Sequence, residues 1–261
     1  MQIVRCGRCR MMYQNPRVDE TAMGDAYEVL AGYRRFSAQD AAKQALFTAR
    51  IERLRRDRAL PERGSFLDVG AARGIMLGCV SSALPDWRLS AVELSPSARA
   101  RLTRVGYKCA ASIADLDPRV KFDWINIDNV LEHLPDPLGV LLDLKLRLKP
   151  GGFIYVEVPN ESFLQFRYRV NDAIRGYSKL PTAEGHVNLF TPGTLRRLFH
   201  AAGFRCEDFH LESVAVPHRL KGALGGDETL LIRRVFRFLR LTRLDLATRL
   251  AYFICARIEL A

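Results

Sequence analysis

Between Ser65 and Asn160 the chain alternates short β-type runs with helical segments, and that alternation leaves few folds open. The β-type runs read SFLDV from Ser65, LSAVEL from Leu89, YKCAA from Tyr107, FDWINID from Phe122 and GFIYVEV from Gly152. Helical segments alternate with them, the pattern of a parallel sheet covered by helices. The helix punctuation agrees. Ser95-Pro96 and Asp136-Pro137 each place a capping side chain before a proline at the first helical position, and Gly106 and Gly151-Gly152 are expected to close the helices that follow. TPGTLRRLFHAAGF repeats the device, with Thr191 as cap, Leu195, Leu198, Phe199 and Ala202 on one face, and Gly203 as stop. FRCEDFHLE from Phe204 and AYFICARIE from Ala251 read as two more strands.

A chain of 261 residues holds one substantial core plus additions. The expected division is residues 1–60 as an N-terminal extension with a CxxC and an arginine-rich helix over 37–60, 61–212 as the core, 213–250 as a basic amphipathic helical insertion, and 251–261 as the last core strand. No apolar run is long enough to cross a bilayer, and arginines and cysteines interrupt MQIVRCGRCR where a signal peptide needs an apolar centre, so a cytoplasmic location is expected. The net charge of +11 favours an anionic partner, such as nucleic acid, an acidic membrane surface or a phosphorylated substrate, and reads equally as solubility. Of six cysteines only Cys6 and Cys9 form a CxxC, while Cys79, Cys109, Cys206 and Cys255 lie in apolar segments as free thiols would.

The turn after the first core strand reads Asp68-Val-Gly70-Ala-Ala-Arg-Gly74, which breaks the dinucleotide pattern GxGxxG at Ala72 and Ile75. A carboxylate at Asp68 repels a pyrophosphate but suits a ligand whose near end carries an ammonium and a sulfonium, and S-adenosylmethionine is such a ligand. Gly70 would let the backbone pass close beneath the methionine moiety. Glu93, ending the next strand, can accept two hydrogen bonds from ribose hydroxyls, and Leu94 can cover one face of the adenine. Taken alone, Glu93 reads equally as a helix cap.

LDVGAARG, AVELSPSA, FDWINIDNVLEHLPDP, LKPGGFIYVEVPN and HVNLFTPGTLRRLFHAAGF, in that order over about residues 64–212, resemble the class I S-adenosylmethionine-dependent methyltransferases. Within them the chain is similar to the ubiquinone-biosynthesis O-methyltransferases and sugar methyltransferases. The resemblance implies a Rossmann-like α/β fold: a seven-stranded, mainly parallel sheet with helices on both faces and the last strand antiparallel to its neighbours, here with N-terminal and C-terminal helical additions. It also implies cofactor contacts at Asp128 and Asn129. The family turn usually carries glycine where Ala72 stands. The ubiquinone branch implies a metal-supporting arrangement with glutamate at the position of Asn129, ahead of Glu132-His133; an amide there removes a charge that a divalent ion would want, so no required metal is expected. IVRCGRCRMMYQNPR looks like the second half of a zinc ribbon that precedes the domain in some relatives, but it supplies two of the four ligands of a closed zinc site.

Transfer of a methyl group to a hydroxyl needs a base near neutral pH, which makes His133 and His186 candidates, with Glu157 as a carboxylate able to bind or deprotonate an acceptor. Each has a plainer reading: a brace for the turn, a satisfied loop histidine, and the partner of an arginine. TLLIRRVFRFLRLTRLDLATRL, from Thr229, has the composition of an interfacial helix on an anionic membrane, and equally that of a lid with solvated arginines. No aromatic stacking platform or reader motif favours nucleic acid. The helix holding Arg50, Arg53 and Arg56 reads as a cofactor cover facing an anionic substrate, or as a plain surface helix. The expected function is methylation of oxygen on a small molecule, sugar or glycolipid, by a cytoplasmic protein that is soluble or peripheral on the inner membrane face. The alternatives are C- or N-methylation, and a non-catalytic basic module binding anionic membrane or nucleic acid.

Overall fold

The computed structural model describes residues 2–16, 38–162, 185–212 and 253–261. The strands are β1 (Gln2–Arg5), β2 (Met12–Asn15), β3 (Ser65–Val69), β4 (Arg88–Val92), β5 (Lys108–Ala110), β6 (Phe122–Asp128), β7 (Leu148–Pro159), β8 (Asn188–Leu189), β9 (Phe204–Glu212) and β10 (Phe253–Leu260). The helices are α1 (Ala38–Arg56), α2 (Ile75–Ala83), α3 (Pro96–Arg104), α4 (Pro137–Lys145) and α5 (Pro192–Ala201), with a 3-10 turn at Leu131–His133. A seven-stranded sheet runs β5-β4-β3-β6-β7-β10-β9, with β10 antiparallel to both neighbours. FICARIEL thus supplies the antiparallel strand that the resemblance implied near the end of the chain.

Side chains alternate across each strand, so β3 and β6 serve two cores at once. Leu67, Ile125, Ile127, Ile154 and Val156 are fully buried with Leu195 and Phe199 of α5. Phe66, Trp124, Phe153 and Tyr155 face the other way and pack with Phe47, Ile51 and Leu54 of α1 and Met76, Leu77 and Val80 of α2. Phe66 meets Trp124 edge to face at 4.7 Å. Because Asp68, Asn126 and Asp128 continue the alternation that places Phe66 and Trp124 under α1, three polar groups reach the carboxyl edge on the α1 side. That phase is what creates the site.

The caps fall where expected: Ala98 N donates to Ser95 Oγ at 3.2 Å, Gly139 N to Asp136 Oδ1 at 3.0 Å, and Thr191 forms a capping box with Thr194. Gly106 and Gly203 adopt positive φ after α3 and α5. Gly151-Gly152 do something else. α4 ends at Lys145, and the two glycines lie inside β7, where its register against β6 slips between Phe122 and Trp124. A Cβ on Gly152 would sit 2.8 Å from the Phe122 carbonyl oxygen, so close backbone approach, not helix termination, requires glycine there.

The CxxC segment is built onto the core edge. β1 and β2 form an antiparallel hairpin, β2 pairs with β8, and Gln14 N donates to the Val187 carbonyl at 2.9 Å, beside His186. Cys6 and Cys9 occupy its tip, where the Cys9 backbone N–H, 3.5 Å from Cys6 Sγ, holds the Cys6 thiol below its ordinary pKa. Cys79 and Cys255 are buried, Cys109 and Cys206 half-buried, and all are free thiols. The basic insertion at 213–250 lies outside the described residues.

Candidate active site

Asp68 leaves β3 almost fully buried, with Asn126 Nδ2 donating to its Oδ1 at 2.9 Å. Burial pushes its carboxyl up to about 7; the Asn126 hydrogen bond opposes the rise, and the charge of Asp128 adds to it. The turn that follows is left-handed at Gly70, Ala72 and Gly74. A Cβ on Gly70 would run into Cγ2 of Val130, so the protein itself, at this position, excludes a side chain. Ala72 at φ +47 explains why a glycine is the easier residue there. Arg73 ties the turn to α1 through Asp40 at 2.7 Å.

Glu93 is buried at the end of β4, Oε2 accepting from Ala72 N at 2.7 Å and Oε1 from Ser95 N at 2.8 Å. It therefore links the first turn to the start of α3, and each oxygen keeps a lone pair for a further donor. Leu94 next to it is half-exposed. At the end of β6, Asp128 Oδ2 and Asn129 Oδ1 are buried and accept no hydrogen bond among the described residues. Asn129 holds φ at +53, and its Nδ2 donates to Asp128 Oδ1 and, at 3.2 Å, to Glu157 Oε1. The whole edge offers acceptors and few donors. S-adenosylmethionine, whose ammonium and ribose hydroxyls are donors, fits that set.

Glu157 takes the plainer of its two readings, as the partner of an arginine. Arg50 of α1 reaches over the Tyr155 ring, 4.2 Å from its centroid, and pairs with Glu157 Oε2, with Asp128 Oδ2 at 3.6 Å and Asn126 Oδ1 at 3.4 Å. Burial alone would lower the Arg50 pKa; Glu157, Tyr155 and Asp128 together outweigh it and raise it. Arg53 similarly serves Asp208 at 3.3 Å and the Tyr155 hydroxyl at 3.0 Å. Both arginines have partners within the protein, Arg53 remaining partly exposed, and Arg56 is exposed. The signal for Arg50 was present: it lies on the stripe Phe47, Ile51, Leu54 at helical spacing.

His133 and His186 come together although 53 residues separate them in sequence, with ring centroids 4.9 Å apart. The 3-10 turn carries Glu132 and His133; Val187 N donates to the Glu132 carbonyl at 2.8 Å and brings His186 alongside. His133 Nδ1 lies 3.1 Å from the Gly185 carbonyl, and His186 Nδ1 3.0 Å from Glu161 Oε1. Both Nε2 atoms turn to Glu132 Oε1, at 3.8 and 4.0 Å. Glu161, two residues beyond β7, carried no recognisable sequence signal.

A parallel sheet with one antiparallel strand inside its far edge, and an acceptor-rich site at the carboxyl ends of β3, β4 and β6, define a class I S-adenosylmethionine-dependent methyltransferase fold. Residues 38–208 match the family model of a methyltransferase domain, and the chain belongs to that family. The ubiquinone biosynthesis O-methyltransferase of Xanthomonas axonopodis pv. citri is 29% identical over 159 residues, 57% of this chain and 65% of that protein. The Coxiella burnetii protein of the same name is 23% identical over 150 residues, 54% of this chain and 64% of that protein, so the match spans under two thirds of these relatives. In structure, the magnesium protoporphyrin IX methyltransferase of Synechocystis PCC 6803 with bound S-adenosylhomocysteine superposes with a TM-score of 0.59 at 12% identity, covering 93% of this chain and 100% of that one. Coclaurine N-methyltransferase, bound to N-methylheliamine and S-adenosylhomocysteine, gives 0.54 at 12% identity over 87% and 73%. At such identities the likeness is one of fold.

Proposed function

We propose that this protein transfers the methyl group of S-adenosylmethionine to an oxygen of a small molecule, sugar or glycolipid. The observation that carries the reading is the row of acceptors at the carboxyl edge, next to a histidine and carboxylate cluster. In this reading Asp68 holds the methionine ammonium, Glu93 the ribose hydroxyls and Leu94 one adenine face. Asp128 and Asn129 offer the remaining acceptors, and Gly70 and Gly74 shape the turn. When bound, the cofactor supplies the methyl group and leaves as S-adenosylhomocysteine. A hydroxyl must lose its proton as it attacks, and in the metal-free protein the cluster of His133 and His186 is the local proton acceptor, with His133 its more exposed imidazole. Glu157, as the counter-ion of Arg50, is left out of that role. Oxygen is favoured over carbon or nitrogen because a hydroxyl needs such a cluster, and the curated relatives are O-methyltransferases by name.

Calorimetric titration with S-adenosylhomocysteine tests the cofactor half without knowledge of the acceptor. One-to-one binding with a dissociation constant on the order of micromolar, about −8 kcal/mol, is expected. Glu93→Ala is expected to weaken it about tenfold, through loss of hydrogen bonds to a charged group. Absence of heat and of thermal stabilisation would leave the non-catalytic basic module as the account.

A second reading, attachment to an anionic membrane surface, draws on one surface feature. Arg8 and Cys9 from the hairpin tip and Arg196, Arg197 and His200 from α5 line a hollow of about 610 Å3. Arg196 is stacked 3.6 Å over Phe209, and Arg197 donates to the Cys9 carbonyl at 2.7 Å, so two of the cations are held in place. No described helix is long and apolar enough to cross a membrane. Pelleting with phosphatidylglycerol vesicles at low salt, lost in an Arg196→Glu, Arg197→Glu variant and absent with phosphatidylcholine, is the expected result. Equal pelleting of the variant would remove the hollow from the account.

A further inference from the structure

The metal arrangement implied by the ubiquinone resemblance is not formed in this chain: Asn129 stands at its first carboxylate position and spends its amide on Asp128 and Glu157. A different ligand set is present. Glu132, His133 and His186 each offer one donor atom, and the three atoms lie within 4.8 Å of one another. We infer that Glu132, His133 and His186 bind a divalent transition ion of the zinc type.

Three features carry this beyond mere proximity. The first is orientation: His133 Nδ1 faces the Gly185 carbonyl at 3.1 Å and His186 Nδ1 faces Glu161 at 3.0 Å, which fixes both rings with Nε2 turned to the same point. Histidines that ligate metals are held in this way, by a carbonyl or carboxylate on the other nitrogen. The second is spacing. Ligands about 2 Å from a tetrahedral ion lie about 3.3 Å apart. The two Nε2 atoms, at 3.8 and 4.0 Å from Glu132 Oε1, need to close by less than about 1 Å. The third is support. Val187 N donates to the Glu132 carbonyl and Asn188 Nδ2 to the carbonyls of Leu131 and Leu134, so the 3-10 turn and β8 are clamped together at the site. Two imidazoles and one carboxylate select zinc, cobalt or iron over magnesium, which prefers oxygen ligands and retained water. Such an ion, with one position left for water or an acceptor oxygen, would lower the pKa of an oxygen bound to it, and His133 and His186 would then serve deprotonation as its ligands rather than as free bases.

The test uses metal alone. Cys6 and Cys9 can also take zinc, so it is done in a Cys6→Ser, Cys9→Ser background after chelator treatment. Zinc chloride is titrated by calorimetry, and cobalt(II) is followed by visible absorption. One ion per chain and a strong four-coordinate cobalt spectrum are expected. His186→Ala and Glu132→Gln should each weaken binding at least about tenfold, and Glu161→Gln about ten- to a hundredfold through loss of ring orientation. His133→Ala, at the more exposed ligand, repeats the test should a buried variant fail to fold. Zinc binding that vanishes with the two cysteines, or that survives His186→Ala and His133→Ala unchanged, overturns the inference. S-adenosylhomocysteine plays no part in these measurements, so their failure is separable from failure of the methylation reading.

Discussion

Arg50→Met is expected to lower the unfolding free energy by about 3–5 kcal/mol, the effect of leaving buried carboxylates without their cation. Arg50 is 4% exposed and Glu157 2%, so water does little to screen the pair. Methionine keeps the packing against Phe47 and Tyr155 but abandons Glu157 and Asp128. Urea unfolding at pH 7 reads the loss, and adding Glu157→Gln to Arg50→Met should recover part of it, because the second change removes a stranded charge. A loss under about 1 kcal/mol in the single variant would place the pair among screened surface bridges and remove Arg50 as the link between α1 and the site.

For Asp68→Asn the expected result is opposite for binding and for stability. At pH 8 the dissociation constant for S-adenosylhomocysteine should rise about ten- to a hundredfold, since a charge-assisted hydrogen bond contributes roughly 1.5–3 kcal/mol. The wild-type affinity should itself gain roughly tenfold between pH 6 and pH 8, as a carboxyl held at about 7 passes from mostly protonated to mostly ionised. The variant should be flat across that range. For the ligand-free protein, the folded pKa lies above the unfolded value of about 3.9, so the native state holds the extra proton in between. The contribution of Asp68 to stability is therefore complete below about 4 and is lost as pH rises through about 7. Thermal unfolding should show the variant losing less stability than wild type over that window. A pH-independent wild-type affinity would mean that Asp68 does not meet a ligand cation.

The parallel core was legible because it is written locally: β-type runs, capping residues and glycine stops act within a few positions of themselves, and SFLDV, Ser95-Pro96 and TPGTLRRLF all fall where their chemistry says. Asp68 and Glu93 were legible as carboxylates ending consecutive strands. Gly151-Gly152 were misread, because glycine ends helices and also permits two backbones to approach, and the chain nearby does not distinguish the two. Arg50 was read either as facing an anionic substrate or as part of a plain surface helix, and its burial was missed although its place on an apolar stripe indicated it. Glu161 had no local signature, since its role depends on a histidine brought to it by β8.

The sequence by itself determined the strand and helix order of the seven-stranded core, the glycine-bearing turn after β3 and the acidic residues at the strand ends, but not β1, β2 or β8. These follow from side-chain alternation and backbone freedom, which are properties of neighbours along the chain. The tertiary structure decided which charges meet: Arg50 with Glu157, His186 with Glu132 and His133, the Cys6–Cys9 hairpin with β8. Those partners are separated by tens to well over a hundred residues, and pairing between side chains is set by distance in space, which no local pattern encodes.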